Sequence, residues 1–300
     1  MEKSVLYRGS ADIYITERCD EGCLFCSGKK GDAFLSLDDF KGYVENWVRY
    51  GTKHINMTGG EPLLHPRLPE FVRHAKSLGM TTALFTSGSQ YCTNIYSEVL
   101  PWLDWLAISI DGGPEADRAV GRSELHFENA MKSFAYARSK FPSVKVRVAT
   151  VVCRLNLDGV EELGCEMLQR KLCPDLWRIK QVIPVRRAEK LWESLRITER
   201  DYDSLTAKLS LCFANTINIR SNPWQSKSGD LIVTYPSGIS GSTMIRDNGE
   251  ASTIVMLGNI FDDFDGVISS WHRTVRGKTI TADRYMNEAW GTNDSESNIG

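Results

Sequence analysis

The sequence predicts an open, partial (β/α)6 barrel of the TIM type with a C-terminal α+β extension. Three observations carry this. Six apolar, strand-like runs alternate with helical-period segments from residue 11 to about residue 183, the pattern of β/α units around a parallel sheet. The run Trp105-Leu106-Ala107-Ile108-Ser109-Ile110 is apolar on both faces, as a buried parallel strand should be. Six units fall short of the eight that close a barrel. The barrel is therefore expected to be open, with its site at the carboxyl ends of the strands.

In chain order the strand candidates are 11–16, 53–58, 81–86, 104–110, 144–152 and 176–183. The amphipathic segments between them are 37–50, 69–78, 95–100, 124–140 and 157–171. After residue 184 the pattern changes. Thr198-Glu199-Arg200-Asp201 offers a capping threonine and acidic groups in a first turn, which predicts a helix to about Cys212. Short strands are expected near 216–220, 230–235 and 253–257, separated by Gly, Ser and Asn. Residues 1–184 thus read as the barrel core and 185–290 as an extension that closes its mouth. The stretch 291–300 is polar and aperiodic, and is expected to be disordered.

Composition narrows the function. Apolar residues make up 42% and charged residues 25% of the chain, which is ordinary for a globular protein. A formal charge of -2 leaves no basic footprint, so neither duplex nucleic acid nor an anionic membrane is implied. No stretch approaches the roughly 20 apolar residues of a membrane span, and the first residues lack the apolar core of a secretory signal. Eight cysteines in 300 residues are too sparse for a disulfide scaffold. A reducing cytoplasm is the expected setting.

Cys19, Cys23 and Cys26 form a C-x3-C-x2-C run directly after the first strand candidate. Three thiolates from one tight loop can each hold a different iron of a cubane, leaving the fourth iron open to a non-protein ligand. An open iron binds and activates something, so this loop points to chemistry. The same thiols also suit half of a zinc site, or simple burial. Zinc normally takes four ligands, often from paired knuckles, and Cys92, Cys153, Cys165, Cys173 and Cys212 are scattered. Phe25, just before the last cysteine of the run, suits packing against a flat ring beside a cluster.

Met57-Thr58-Gly59-Gly60-Glu61-Pro62 ends the second strand candidate about 35 residues after the cysteines. Two glycines let the backbone approach a ligand closely, and Glu61 adds an anionic acceptor suited to an ammonium group. A plain β-to-α turn would also use Gly-Gly. What strengthens the motif is its place, at the strand end that should share the cysteines' face of the barrel.

Taken together, the cysteine run with Phe25 and the Gly59-Gly60-Glu61-Pro62 turn resemble the radical S-adenosylmethionine (SAM) superfamily. The resemblance implies a [4Fe-4S] cluster on Cys19, Cys23 and Cys26, with SAM chelated to the open iron. It implies reductive cleavage of SAM to a 5′-deoxyadenosyl radical that abstracts hydrogen from a substrate. Other strand ends take roles in SAM binding by the same resemblance: Gly59, Gly60, Glu61 and Pro62 in the cradle, and Ser87 in Thr86-Ser87-Gly88. Ser109 and Asp111 match the family's serine-x-aspartate element, and Arg122 resembles an arginine that pairs with the SAM carboxylate. Thr150 and Asn156 fall in a run similar to the fifth strand, near the adenosine. The reductant implied is a flavodoxin or ferredoxin.

Two runs resemble viperin, the nucleotide-dehydrating branch of that superfamily. One is Ile108-Ser109-Ile110-Asp111 leading to Val120-Gly121-Arg122; the other is Leu176-Trp177-Arg178-Ile179-Lys180-Gln181 with the helix start at Thr198. This resemblance implies a small-molecule substrate of the nucleotide or nucleoside type, with Arg147, Lys180, Arg186, Arg187 and Lys190 offering cations to phosphates. The chain departs from viperin after Cys26, where Ser27-Gly28-Lys29-Lys30 follows, and at Ala149, where asparagine is expected. Tyr14, Tyr235 and Asp230 are further pocket candidates, and no single residue stands out as catalytic. Modification of a natural product or of a peptide is the alternative. Only Cys212 lies beyond residue 173, so the cysteine-rich C-terminal domain of many peptide-modifying relatives is not expected. A non-catalytic zinc or iron-sulfur protein would explain the cysteines but leave Gly59-Gly60-Glu61-Pro62 without a task.

Overall fold

The computed structural model describes residues 10–223, 232–245 and 252–274 of the chain. The expected tail 291–300 and the pocket candidate Asp230 lie outside the described residues. The barrel units run β1 (Ala11–Tyr14), α1 (Leu37–Tyr50), β2 (His54–Thr58), α2 (Leu68–Ser77), β3 (Thr81–Thr86), α3 (Asn94–Val99), β4 (Trp105–Ser109), α4 (Pro114–Ala119), α5 (His126–Lys140), β5 (Lys145–Val152), α6 (Val160–Gln169) and β6 (Leu176–Gln181). There follow α7 (Arg187–Lys190), α8 (Trp192–Leu195), α9 (Glu199–Phe213), β7 (Ile219–Asn222), β8 (Val233–Thr234), β9 (Ile239–Ile245), β10 (Ser252–Asn259) and α10 (Phe264–Thr274).

Among the described residues ten strands form one sheet, in the order β10-β9-β8-β1-β2-β3-β4-β5-β6-β7. Strands β1 to β6 are parallel and sequential, the open arrangement expected. The later strands extend both edges of the same sheet. β7 lies parallel on β6 and β8 parallel on β1, and β9 and β10 continue antiparallel beyond β8.

Local chemistry sets the helix ends. The Ser36 hydroxyl accepts from Asp39 N–H at 3.0 Å to start α1, and Gly51, at φ +94, ends it in the left-handed region that favours glycine. Phe40, Tyr43, Val44 and Trp47 recur at helical spacing and are buried on one face of α1. Each such side chain withdrawn from water contributes roughly 1.5–3 kcal/mol. Thr198 and Asp201 form a reciprocal capping box at α9, where the sequence placed a helix start.

Strand alternation then divides the sheet into two chemically distinct faces. Ile13, Ile55, Met57, Leu84, Leu106, Ile108, Val146, Val148, Trp177 and Ile179 face the helices and belong to the main core. The alternate positions, among them Asp12, Tyr14, Asn56, Phe85, Ala107, Ser109, Arg147 and Lys180, face the concave side. Ala107 is small, and the Arg147 guanidinium on β5 reaches past it to lie 4.4 Å from the centre of the Phe85 ring on β3. The parallel strands end together at Tyr14, Thr58, Thr86, Ser109, Val152 and Gln181, and this rim carries the site.

Candidate active site

The cysteine loop hangs from the end of β1. Thr16 bridges to Phe34, and Glu17 N–H donates to Ala33 O at 2.9 Å, so residues 17–33 form a closed lobe. Cys19 and Cys26 are half-buried, Cys23 is buried, and all three are free thiols. The glycine turn lies directly against this loop. Gly60 N–H donates to Thr16 O at 2.8 Å and Glu61 N–H to Arg18 O at 2.7 Å. A Cβ on Gly60 would stand 2.0 Å from Arg18 O and 2.8 Å from the Cys19 Cβ; on Gly59 it would stand 2.6 Å from Thr16 O. Only glycine fits either position, so the two sequence motifs form one surface.

The chemistry of this donor set suits an iron-sulfur centre. Three reduced thiols share one loop, and burial pushes those of Cys19 and Cys23 up to about 11 and about 12. Iron binds the thiolates, so loading would release these protons. Among the described residues, no group of three or more His, Cys, Asp or Glu side chains converges on a single-ion position. A cubane takes one thiolate per iron and needs no such convergence.

Glu61 is fully buried and saturated. One carboxylate oxygen accepts from Leu63 N–H at 3.0 Å and the Thr86 hydroxyl at 2.7 Å; the other accepts from both the N–H and the hydroxyl of Ser87 at 2.7 Å. These four donors lash the end of β2 to the end of β3. They also occupy the lone pairs with which Glu61 would meet an ammonium group. The Ser87 hydroxyl is likewise engaged, with Glu61 and with Ser89 at 2.8 Å. Pro62 is buried at the start of the short turn that follows.

A second network joins the ends of β4 and β5. One Asp111 carboxylate oxygen accepts Arg122 Nε at 2.9 Å and Nη2 at 2.7 Å, and the other accepts Val151 N–H at 2.9 Å. The pair is buried, with side-chain exposures of 6% for Arg122 and 1% for Asp111. Asp111 N–H in turn donates to Asp117, whose other oxygen lies 2.5 Å from Nδ1 of buried His126. Asn156 donates to Asp111 O at 2.6 Å and Val151 O at 2.8 Å and accepts from Cys153 N–H. The Thr150 hydroxyl donates to Ile110 O at 2.6 Å and accepts Trp177 Nε1–H at 2.9 Å. Asp111, Thr150 and Asn156 therefore brace the rim, and Arg122 is held by a carboxylate of the protein itself. Ser109 is half-buried at the end of β4. Phe25 packs with Val120, Cys153, Val182, Ala188 and Leu195 in a small apolar cluster.

The concave face below the rim holds a group the motifs did not reveal. Asp12, 7% exposed, accepts the Ser10 hydroxyl at 2.8 Å and Asn56 Nδ2–H at 2.5 Å. Burial pushes its carboxyl up to about 7, against the pull of Ser10, Asn56, Arg147 and Lys180. A charged residue at an inward position of an otherwise apolar strand is the signal that could have found it. Nearer the rim, Tyr14 and Tyr235 lie 5.1 Å apart between ring centres, and Arg186 Nη2 donates to the Tyr235 hydroxyl at 2.9 Å.

The Asp12 shift has a consequence for stability. Between about pH 4 and pH 7 the folded state keeps a proton that the unfolded chain has lost, so stability falls as pH rises through that window. Asp12→Asn removes the titration while the Ser10 hydroxyl can turn to accept. Urea unfolding at a series of pH values should show a decline from pH 5 to pH 7.5 for the parent and a flatter line for the variant. Equal slopes would place the carboxyl at its ordinary value.

The carboxyl rim of the parallel strands β1 to β6 thus joins a three-thiol loop to a glycine turn in an open partial barrel. The chain belongs to the radical SAM superfamily of enzymes: the family's model matches residues 13–163. The S-adenosylmethionine-dependent nucleotide dehydratase of Flammeovirga pacifica is 29% identical over 206 residues, 65% of this chain and 70% of that protein. The dehydratase of the same description from Lacinutrix mariniflava is 28% identical over 206 residues, 64% of this chain but only 42% of that protein. Among solved structures, native anSMEcpe with bound AdoMet superposes with a TM-score of 0.65 over 89% of this chain and 81% of that one, at 14% identity. Streptococcus suis SuiB bound to S-adenosylmethionine gives 0.62 over 78% and 60%, also at 14% identity. At these identities the likeness is one of fold.

Proposed function

We propose that this chain is a radical SAM enzyme acting on a nucleotide or a closely similar anionic small molecule. In this reading Cys19, Cys23 and Cys26 would hold a [4Fe-4S] cluster, and the Gly59-Gly60 turn beside them would help to hold SAM. When bound, these groups supply a 5′-deoxyadenosyl radical that takes hydrogen from the substrate. The observation that carries the reading is the direct contact of the cysteine loop with the glycine turn, above a concave face furnished with cations.

The residues of the chain position and enclose. Gly59 and Gly60 let the cysteine loop pack against the turn at a distance no side chain would permit. Ser109 and Arg122 would meet the carboxylate end of SAM, with Arg122 held in place through Nε and Nη2 by Asp111. Glu61, Pro62, Ser87, Asp111, Thr150 and Asn156 hold the strand ends in place, and Phe25 walls the site on the side of β5 and β6. Arg147, Lys180 and Arg186 receive the anionic part of the substrate. The relatives named as nucleotide dehydratases support the nucleotide class.

The described residues between 185 and 274 serve as a cover for the mouth. Tyr235 lying on Tyr14, and Arg187 donating to Gly22 O at 2.7 Å, support this. Among the described residues no helix is long and apolar enough to cross a membrane, and a cytoplasmic enzyme reduced by a flavodoxin or ferredoxin is the setting proposed.

The test is an anaerobic assay of the reconstituted protein with SAM, dithionite and a panel of nucleotides, sugar nucleosides and peptides. A nucleotide should stimulate formation of 5′-deoxyadenosine and, when deuterated at the reacting position, pass deuterium into it. Stimulation by peptides alone would move the assignment to peptide modification.

A further inference from the structure

The cysteine loop is fastened to the segment after α4 by contacts that the cofactor reading leaves unused. Glu21 stands midway between Cys19 and Cys23 and is only 3% exposed. Its carboxylate accepts Ser123 N–H at 2.8 Å on one oxygen and the Ser123 hydroxyl at 2.9 Å on the other. One residue on, the backbones of Gly22 and Gly121 touch. A Cβ on Gly22 would lie 2.7 Å from Gly121 O, and a Cβ on Gly121, itself at φ +87, would lie 2.8 Å from Gly22 O. Leu24 N–H then donates to Val120 O at 2.9 Å. From the outer side, Lys30 Nζ donates to Glu21 O at 2.6 Å and Arg187 Nη1 to Gly22 O.

Glu21, Gly22 and Leu24 of one loop thus meet Ser123, Gly121 and Val120 of the other, with glycine on both sides of the closest approach. A buried carboxylate gains nothing by leaving water unless its acceptors are filled, and here both are filled by one serine. We infer that Glu21 is a positioning residue: by clamping the loop to Ser123 it fixes the direction of the Cys23 thiol and sets it beside Arg122. Ligands oriented by such outer contacts hold a metal centre more tightly than ligands left to find their own geometry. The inference rests on the cluster reading above.

The experiment compares iron release. Parent, Glu21→Gln, Ser123→Ala and Ser123→Thr are reconstituted anaerobically and challenged with a chelator, and urea unfolding of each apoprotein is followed in parallel. Glu21→Gln replaces two charge-assisted bonds with weaker neutral ones, the Ser123 hydroxyl turning to accept from the amide, and Ser123→Ala removes one of the two bonds. Both should release iron faster, by about tenfold for Glu21→Gln and less for Ser123→Ala. Ser123→Thr keeps the hydroxyl and should behave as the parent, and the urea midpoints should stay close together. Parent-like release from both Glu21→Gln and Ser123→Ala overturns the inference. So does faster release that only follows a loss of overall stability, with Ser123→Thr no better than Ser123→Ala. A parent that assembles no cluster overturns the cluster reading, and this inference with it.

Discussion

Cys23→Ala is expected to abolish cluster assembly and with it all cleavage of SAM. Of the three thiols Cys23 is the most buried, at 8% exposure, and it lies where the loop is pinned to residues 120–123. No fourth cysteine stands close in sequence to replace it, because Cys92, Cys153, Cys165, Cys173 and Cys212 are dispersed. Two thiolates leave two irons without a protein ligand, and such a cubane is not retained. Alanine at this position removes one sulfur from a small contact region, so the fold should survive. Visible absorption of thiolate-bound iron and iron content after reconstitution are the measurements. Cluster absorption equal to that of the parent would contradict the assignment of Cys23.

The largest loss of stability should come from Asp111→Ala. It strips the buried Arg122 of its counter-ion and leaves Val151 N–H without an acceptor. Removing one side of a buried ion pair costs about 3–5 kcal/mol, a large share of the roughly 5–15 kcal/mol that holds a domain folded. Asp111→Asn, which keeps an oxygen acceptor, should lose less. Asp111→Ala combined with Arg122→Met should recover much of the loss, because it removes the stranded charge. Urea unfolding of the single and double variants decides the matter. A double variant worse than Asp111→Ala alone would show that the pair is not coupled as drawn. It follows that Arg122→Ala alone reads poorly on cofactor binding, since it also uncovers Asp111.

Much of the barrel was legible because its signals are local. The strands of the core fell within two residues of their expected ends, and α1 matched, since hydrophobic period and caps are written in neighbouring residues. The elements that escaped depend on distant contacts. α10 contains glycine, two adjacent serines and β-branched residues, a weak helix former. It is made by Val267, Ile268 and Trp271 entering the core, with Phe264 against Trp47. β9 is rich in small polar residues and exists through its antiparallel ladder with β10. α4 could have been found from Pro114 at its first turn with Glu115 and Asp117 behind it.

The candidate site divides in the same way. Sequence spacing named the cysteines and the glycine turn, because both motifs are short. It could not name what Glu61, Asp111, Thr150 and Asn156 touch, because each meets groups on a neighbouring strand end, fixed only by register. Residues chosen as cofactor ligands thus turn out to be engaged first with one another. Glu21 was hidden for a related reason: it is an ordinary acidic residue until the fold buries it.

The most direct test of the account is electron paramagnetic resonance of the anaerobically reconstituted, dithionite-reduced protein with and without SAM, alongside metal analysis. The account predicts about four irons per chain and a cluster signal that changes when SAM binds the open iron beside Gly59 and Gly60. One zinc per chain, or a cluster signal indifferent to SAM, would contradict it.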